Sequence, residues 1–492
     1  MFASSNEVDA SITQLIYNGL FQANGMQLIN NLAESYTVSD DGKIYTITLR
    51  KNLTWSDGEP LTVADIIFTI QAIQDPIIKS SLASSLQNVK TNVIDDYTFT
   101  LELSEPFAPF LTTLTFGILP QHIWQNIQPT NFLLAELNIK PIGNGPYQFK
   151  SLTKDKQGGI RSYTLEPNPN YFGQKPYLKK ISFKFYPDYE TAIQALQDGN
   201  IDSLGSLPRG SVKSKINNRL YNLYQLSLPQ YTAIFLNPQL NEVLKNKIVR
   251  QALIIAIDRD NLVNNTLSGQ AKKIDGAIPP GALGYTDNIK KYSFDSGWAA
   301  ELLEQNGWPR QDDGWRHKGE AKLAITLTIP DREEYIEVAN AIRDNWNNIG
   351  VETSLEVIPT FRWQKDIITT RNYQAVLASE ILLLDPDPYP FWHSSQNQAP
   401  GLSLSIFAND NLDKILEQAR QTIDPNFRAV KYNDFQSILA EEIYAIFLYS
   451  PSYTYVINKD IQGFNLFEIS TPAERLTDIN SWYRLTDRIW KK

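Results

Sequence analysis

The sequence offers few residues for nucleophilic catalysis or metal binding. Cysteine is absent, which excludes a thiolate nucleophile, a disulfide and a cysteine-ligated metal site. The three histidines, His122, His317 and His393, lie far apart, so a histidine-rich metal site is excluded and a Ser-His-Asp triad has few options. The motifs GxxxxGKS/T, GxGxxG, HExxH and GxSxG do not occur. The sequence therefore predicts no enzyme, no metal and no cofactor.

The segment 380–395 has the most unusual combination of residues. An apolar run ends in Asp385-Pro386-Asp387-Pro388, and aromatic residues that include Trp392 follow, then His393. A strand that ends in this way can point into a cleft, where Glu380, Trp392 or His393 would meet a ligand. Two interpretations of Glu380 stay open: an exposed residue at a sheet edge, or a buried carboxylate that pairs with a ligand. His393 is a poor metal ligand because no second histidine is near.

Aromatic residues are abundant, with 24 Tyr, 22 Phe and 10 Trp. Such side chains can stack on a ligand, although they more often fill the core. Tyr231, Phe361 and Trp363 are therefore candidates for ligand contact, and for Trp363 core filling is the more frequent role of such a residue.

Length and charge limit the class of protein further. The 492 residues suffice for about three domains. The net charge of −9 argues against a nucleic-acid-binding protein and against a polybasic membrane anchor. No run of about 20 apolar residues predicts a transmembrane helix, and the residues after Met1 do not resemble a signal peptide.

Hydrophobic periodicity predicts helices and strands that alternate along the chain, which is typical of the α/β class. Helical spacing of apolar residues occurs at 12–20, 62–73, 190–198, 242–257 and 336–349, and strand-like character at 43–50, 97–103, 163–165, 181–186 and 351–357. Thr62 and Asp65 have the spacing of a helix N-cap. The run 141–146 is rich in Gly and Pro, so it predicts a loop and a candidate domain crossing.

A series of short motifs, in order, resembles a known family. The series comprises Asn31-Leu32-Ala33-Glu34-Ser35, Tyr45-Thr46-Ile47-Thr48-Leu49-Arg50, Trp55-Ser56-Asp57-Gly58-Glu59-Pro60-Leu61-Thr62, Pro141-Ile142-Gly143-Asn144-Gly145-Pro146-Tyr147, Glu166-Pro167-Asn168-Pro169-Asn170-Tyr171-Phe172, Val249-Arg250-Gln251-Ala252-Leu253 and Trp392-His393-Ser394-Ser395. It resembles the bacterial extracellular solute-binding proteins of family 5, the peptide- and nickel-type receptors of ABC importers. The resemblance spans about residue 10 to the C-terminus.

The resemblance implies a two-lobed, periplasmic-binding-protein-like α/β fold of type II, with a ligand cleft between the lobes. Lobe 1 would comprise 1–31, 145–258 and 463–492, with an inserted subdomain at 32–144, and lobe 2 would comprise 259–462. In such receptors the lobes close on the ligand, because the closed state binds it more tightly.

The resemblance also bears on the ligand. In the best-known peptide-binding members, a carboxylate just after the lobe 2 strand pairs with the free amine of the peptide. Here Leu382-Leu383-Leu384 occupies that region, and Ser379-Glu380 replaces the Gly-Trp pair that is typical of the strand. Either Asp385 or Glu380 takes over the anchor, or the ligand has no free amine.

The first residues resemble a segment that follows the first strand in family members, not the segment with which those members begin. The chain thus looks shortened at its front, and a missing first strand would leave a sheet position in lobe 1 unpaired. Ser4–Asp9 resembles a loop that lines the cleft in relatives, so Asn6 and Glu7 are candidate ligand contacts.

The predicted function is that of an extracytoplasmic receptor, periplasmic or at the cell surface, that delivers oligopeptides to the permease of an ABC importer. The expected partners are the ligand and the permease, with a monomeric protein and no nucleic acid. A non-peptide ligand such as an oligosaccharide, a nickel complex or another amphiphile is the alternative. A hydrolase on the same fold is a remote one.

Overall fold

The computed structural model describes residues 6–208 and 216–485. The α-helices are Glu7–Ile16, Val63–Gln74, Ala83–Leu86, Gln121–Trp124, Tyr189–Gln197, Lys247–Ile255, Arg259–Asn261, Ser296–Gln305, Glu333–Asn348, Thr360–Arg362, Tyr389–Trp392, Asp410–Gln421 and Pro425–Glu442. The strands are β1 (Phe21–Asn24), β2 (Gln27–Asn30), β3 (Ala33–Val38), β4 (Ile44–Leu49), β5 (Lys90–Val93), β6 (Thr98–Glu102), β7 (Tyr147–Lys154), β8 (Ile160–Pro167), β9 (Ile181–Lys184), β10 (Ser203–Gly205), β11 (Tyr221–Ser227), β12 (Gln230–Leu236), β13 (Ala271–Lys273), β14 (His317–Lys318), β15 (Ala321–Lys322), β16 (Ala324–Pro330), β17 (Glu352–Ile358), β18 (Ala375–Ile381), β19 (Ala445–Asn458), β20 (Ile461–Gln462) and β21 (Tyr483–Arg484).

The chain divides into two compact units, which we call unit 1 (1–227 and 453–492) and unit 2 (228–452). This division differs from the predicted lobes at both boundaries. The segment 228–258 belongs to unit 2 because β12 is a central strand of its sheet and the helix Lys247–Ile255 packs in its core. Residues 453–462 belong to unit 1, where the end of β19 pairs with β10.

The main sheet of unit 2 has the strand order β19-β12-β18-β16-β17, and β13 pairs with β19. β12 runs antiparallel to β18, whereas β16 runs parallel to both β17 and β18. Almost all of β12 is buried, as expected of a central strand that is covered on both faces. The helix Glu333–Asn348 connects β16 to β17 and packs on one face of the sheet through residues such as Ile342 and Trp346.

Unit 1 contains several small sheets. β3-β4-β6-β5 form a four-stranded antiparallel sheet, and β7-β8-β9 form a three-stranded one. The helix Val63–Gln74 begins at a capping box, in which Thr62 accepts from the first-turn backbone and Asp65 accepts from the backbone N–H of Thr62. This confirms the predicted helix start.

The Gly- and Pro-rich loop 141–146 lies within unit 1. A Cβ at Gly143 would stand 2.0 Å from the carbonyl oxygen of Ile16, and one at Gly145 would be 2.5 Å from that of Leu15. Only glycine permits this close approach of two backbone segments. The composition that predicted a loop therefore reflects packing against the end of the helix Glu7–Ile16.

Two predicted helices differ from the observed ones. The stretch 242–257 is interrupted at Asn246, whose side chain accepts a hydrogen bond from the backbone of Ile248 and so starts the helix Lys247–Ile255 afresh. The stretch 12–20 predicted a helix, but the helix Glu7–Ile16 ends early and Phe21 begins β1. In both places a local cap or strand pairing overrides the apolar spacing.

None of the helices within 6–208 and 216–485 has the length and apolar character needed to cross a membrane.

Candidate functional site

The carboxyl ends of the parallel strands in unit 2 form an edge of the kind at which α/β sheets bind ligands. The parallel register places Pro330 of β16 beside Ile358 of β17. The register of β16 with β18, extended by two residues, brings Ala378 to the same level. Ile381 and Phe361 each follow this level by three residues. The residues that directly follow Pro330, Ile358 and Ala378 are 331–334, 359–363 and 379–383. We call these three segments the carboxyl edge of unit 2.

Apolar side chains are exposed at the carboxyl edge. Phe361 is 86% exposed, Ile381 66% and Leu383 65%. Trp363 is half-buried in the helical turn that follows Phe361, so it belongs neither fully to the core nor to the surface. The predicted ligand contact Phe361 is thus accessible to a ligand, and Leu383, in the run Leu382-Leu383-Leu384, is exposed as well.

Glu380 is buried, so the interpretation that it faces solvent is wrong. Side chains alternate along β18, and Glu380 points to the face opposite that of Ile381. Only 3% of Glu380 is exposed. Its Oε2 accepts a hydrogen bond from the hydroxyl of Tyr231, the residue directly across from it on β12, and the indole N–H of Trp392 donates to the same hydroxyl.

The other oxygen of Glu380, Oε1, is buried and has no hydrogen-bond partner among the described residues. Burial raises the pKa of Glu380 to about 8 from 4.5, and the hydrogen bond from Tyr231 opposes this rise only in part. Burial and the nearby Glu380 carboxyl also raise the pKa of Tyr231 well above its usual value. The two candidates Glu380 and Tyr231 therefore bond to each other inside unit 2.

Trp392 is a core residue. It is 5% exposed and packs against the rings of Phe235, Phe435 and Phe447, with centroid distances of 5.9 to 6.1 Å. Aromatic pairs in this range stabilise a core. The ring of Trp392 is therefore not a surface on which a ligand can stack.

Asp385 forms a buried ion pair with Arg428. Its two carboxylate oxygens accept from the two terminal nitrogens of the guanidinium group, each at 2.6 Å. The side chains are only 11% and 5% exposed. Arg428 also donates to the hydroxyl of Tyr432 and to the carbonyl of Ala419. Both oxygens of this candidate anchor are thus already used.

A second ion pair follows two residues later. Arg420 lies 3.2 Å from a carboxylate oxygen of Asp387 and 4.4 Å from the ring centroid of Tyr389. Burial raises the pKa of Asp387 to about 6, although Arg420 and Arg428 favour its charge. The two acidic residues of 385–388 therefore hold this turn against the helices Asp410–Gln421 and Pro425–Glu442.

His393 belongs to the same turn. It is 7% exposed, stacks on Tyr389 at 4.2 Å between centroids and accepts a hydrogen bond at Nδ1 from the backbone N–H of Ser395. Its Nε2 lies 3.3 Å from a carboxylate oxygen of Glu417. The bond from Ser395 makes His393 the N-cap of the short helical turn Ser394–Gln396. Within 6–208 and 216–485, no group of three or more His, Asp or Glu residues has the arrangement of a metal site.

The two unit 1 candidates, Asn6 and Glu7, lie at the start of a helix, not in the loop that the resemblance predicted. Asn6 is the N-cap of Glu7–Ile16 and accepts from the backbone of Asp9. The Glu7 carboxylate accepts from the hydroxyl groups of Tyr453 and Ser206, the latter at 2.8 Å, and lies 3.5 Å from Arg475.

A cavity of about 900 Å³ in unit 1 is lined by Asn6, Glu7, the strands β9 and β10, and residues near the C-terminus that include Arg475 and Trp482. In the described sheets β9 pairs only with β8, and β10 only with β19. Each strand thus has one unpaired edge, and both strands line the cavity.

Sequence reasoning missed Arg428, Arg420 and Tyr432. Arg428 falls on the buried stripe of its helix, together with Tyr432, Phe435 and Leu439. A charge on an otherwise apolar stripe indicates a buried partner, because an unpaired buried charge is costly. That pattern was the available signal for Arg428.

Comparisons with known proteins define the class and then the family. The chain has a periplasmic-binding-protein-like α/β fold. One similar structure is that of NikZ from Campylobacter jejuni in complex with Ni(L-His), which is 25% identical, with a TM-score of 0.77 over 98% of this chain and 97% of that one. The oligopeptide-binding protein AppA of Bacillus subtilis, solved with a nonapeptide, has a TM-score of 0.73 and 26% identity, over 98% of this chain and 95% of that one.

The family itself is established by sequence. The profile described as "Bacterial extracellular solute-binding proteins, family 5 Middle" matches residues 27–401. The full sequence of AppA of Bacillus subtilis is 27% identical to this chain, and the alignment covers 98% of this chain and 88% of AppA. The dipeptide-binding protein of Escherichia coli is 24% identical, and that alignment covers 94% of this chain and 89% of the relative. The chain belongs to the bacterial extracellular solute-binding proteins, family 5.

Proposed function

We propose that this protein captures peptides outside the cytoplasm and delivers them to the permease of an ABC importer, without catalysis. The observation that carries the proposal is membership of family 5 together with relatives along nearly the whole chain that are named for oligopeptide and dipeptide binding. The exposed carboxyl edge of unit 2 is the surface that we assign to the ligand, since strand ends of this kind bind ligands in α/β folds.

A metal chelate is the second candidate ligand. NikZ of Campylobacter jejuni, which resembles this chain over 97% of its own length, was solved with Ni(L-His). A chelate brings ligands of its own, so it needs fewer metal-binding side chains from the protein than a bare ion does.

Native mass spectrometry of protein purified without denaturation tests the proposed function. We expect a ladder of co-purified masses that sequencing identifies as peptides, and unchanged peptides after long incubation. A single mass with a nickel isotope pattern would favour the chelate. Progressive cleavage of the bound peptides would contradict a purely binding function.

The resemblance further predicts that ligand binding closes the protein. We expect the radius of gyration from small-angle X-ray scattering to fall on addition of a saturating peptide pool, because the ligand shifts the population towards the state that binds it better. The same pool after digestion to free amino acids serves as control. An unchanged radius with bound peptide verified by mass spectrometry would contradict closure.

A further inference from the structure

The acidic residues that could hold a ligand amine in unit 2 are engaged by the protein itself. Arg428 takes both oxygens of Asp385, at 2.6 Å each. Tyr231 donates to one oxygen of Glu380 and accepts from the indole N–H of Trp392, and the side chain of Glu380 is buried on the face of β18 opposite to Ile381. Both oxygens of Asp385 are bonded, and the second oxygen of Glu380 has no partner but is buried with the rest of its side chain, so neither carboxylate is available to a ligand at the carboxyl edge.

The carboxyl edge instead presents apolar groups. Phe361 lies in the helical turn that follows β17, Ile381 is the last residue of β18, and Leu383 follows it; all three side chains are exposed. Large apolar side chains exposed together gain free energy when a ligand covers them.

Other carboxylates near the edge are a weak substitute for a buried anchor. Asp331 and Glu333 follow β16 and are exposed, and the half-buried Glu334 beside them accepts a hydrogen bond from the hydroxyl of Tyr449 at 2.9 Å. An ion pair with an exposed carboxylate contributes little because water screens it. A cationic amine brought to an apolar surface, in contrast, loses hydration without a strong partner.

From these observations we propose that the ligand presents an apolar residue to the carboxyl edge, and that the amino group of this residue is blocked or absent. N-acylated and cyclic peptides have this chemistry. The proposal rests on the proposed peptide function. Of the two possibilities that the sequence left open, a replacement anchor or a ligand without a free amine, the contacts of Asp385 and Glu380 favour the second.

A competition experiment tests this proposal. The purified protein is incubated with an equimolar mixture of a random tetrapeptide library and its N-acetylated, isotope-labelled copy, and the retained peptides are counted by mass spectrometry. We expect the acetylated form to be retained at least as well as the free form. A threefold or greater excess of the free form overturns the proposal while leaving the peptide function intact. Retention of neither library overturns both.

Substitutions at the carboxyl edge test which side chains recognise the first residue of the peptide. In Phe361→Ser and in Leu383→Ser, we expect the enrichment of apolar residues at the first peptide position to fall about fivefold, since each removes apolar surface from the edge. Val430→Ser is the matched control, because Val430 is 57% exposed on the helix Pro425–Glu442, outside the carboxyl edge. Enrichment that survives both edge substitutions contradicts the proposed recognition surface.

Asp331→Asn tests the first of the exposed acidic residues that follow β16. We expect the ratio of free to acetylated peptides to stay the same in this variant. A fall in the share of free peptides would identify Asp331 as an amine anchor and overturn the proposal.

Discussion

Replacing Glu380 with glutamine is expected to make the protein progressively more stable than the wild type as the pH rises. In the folded protein the pKa of Glu380 is about 8, against 4.5 for an unperturbed carboxyl. The folded state therefore binds a proton that the unfolded state releases, and wild-type stability falls as the pH rises from about 4.5 to about 8. Glutamine does not titrate, so this loss is absent in the variant.

The size of the effect follows from the difference in pKa. One unit corresponds to about 1.4 kcal/mol, so between pH 5 and pH 8 the wild type should lose about 3 kcal/mol relative to Glu380→Gln. Urea denaturation of both proteins at several pH values measures this difference. Because other groups titrate equally in both proteins, the difference isolates Glu380.

The low-pH end of the same experiment is a separate control. Below pH 4.5 both side chains are neutral, and they differ only in the groups at the two oxygen positions, one bonded to Tyr231 and one without a partner. There we expect Glu380→Gln to be less stable than the wild type by about 1 kcal/mol at every pH in that range. The reason is that the glutamine N–H₂ would take the buried position of Oε1, which has no hydrogen-bond partner. A difference in stability that does not change with pH would contradict a buried neutral carboxyl.

The parts of the fold that the sequence predicted depend on residues close together in the chain. Thr62 and Asp65 start a helix because both groups lie within its first turn. Gly199 and Gly350 end helices because each adopts a positive φ, of 71° and 86°. Alternation within β4 also reflects a single strand with one buried face. Such signals need no knowledge of the rest of the chain.

The candidate site was less predictable because its contacts join distant residues. Tyr231 and Glu380 are 149 positions apart, and Asp385 and Arg428 are 43 apart. The composition of 380–395 indicated that this segment is special, but not that Glu380, Asp385 and Trp392 would face inward. Strand alternation alone leaves open which face is covered, and here the covered face is the one that carries the carboxylate.

Removal of the positive charge at Arg428 is expected to have the largest effect on stability. In Arg428→Met, Asp385 keeps its buried place, with a side chain only 11% exposed, but loses both of its hydrogen-bond donors on the guanidinium group. Breaking a buried pair in this way costs about 3 to 5 kcal/mol, because a charge is left without compensation. Asp387, which already has a raised pKa, lies next to it and adds repulsion. Urea denaturation at pH 7 measures the loss.

Matched variants separate the buried charge from lost packing. Lys414→Met removes an exposed positive charge from the neighbouring helix Asp410–Gln421, and we expect a change below about 0.5 kcal/mol. Asp385→Asn combined with Arg428→Met removes both charges, and it should recover a large part of the loss because no buried charge remains unpaired. If the double variant is as unstable as Arg428→Met alone, the bonds of Arg428 to Tyr432 and Ala419 carry the stability and the ion pair does not. If it recovers, the acidic residue after β18 serves the interior of unit 2, which leaves the carboxyl edge to its apolar side chains.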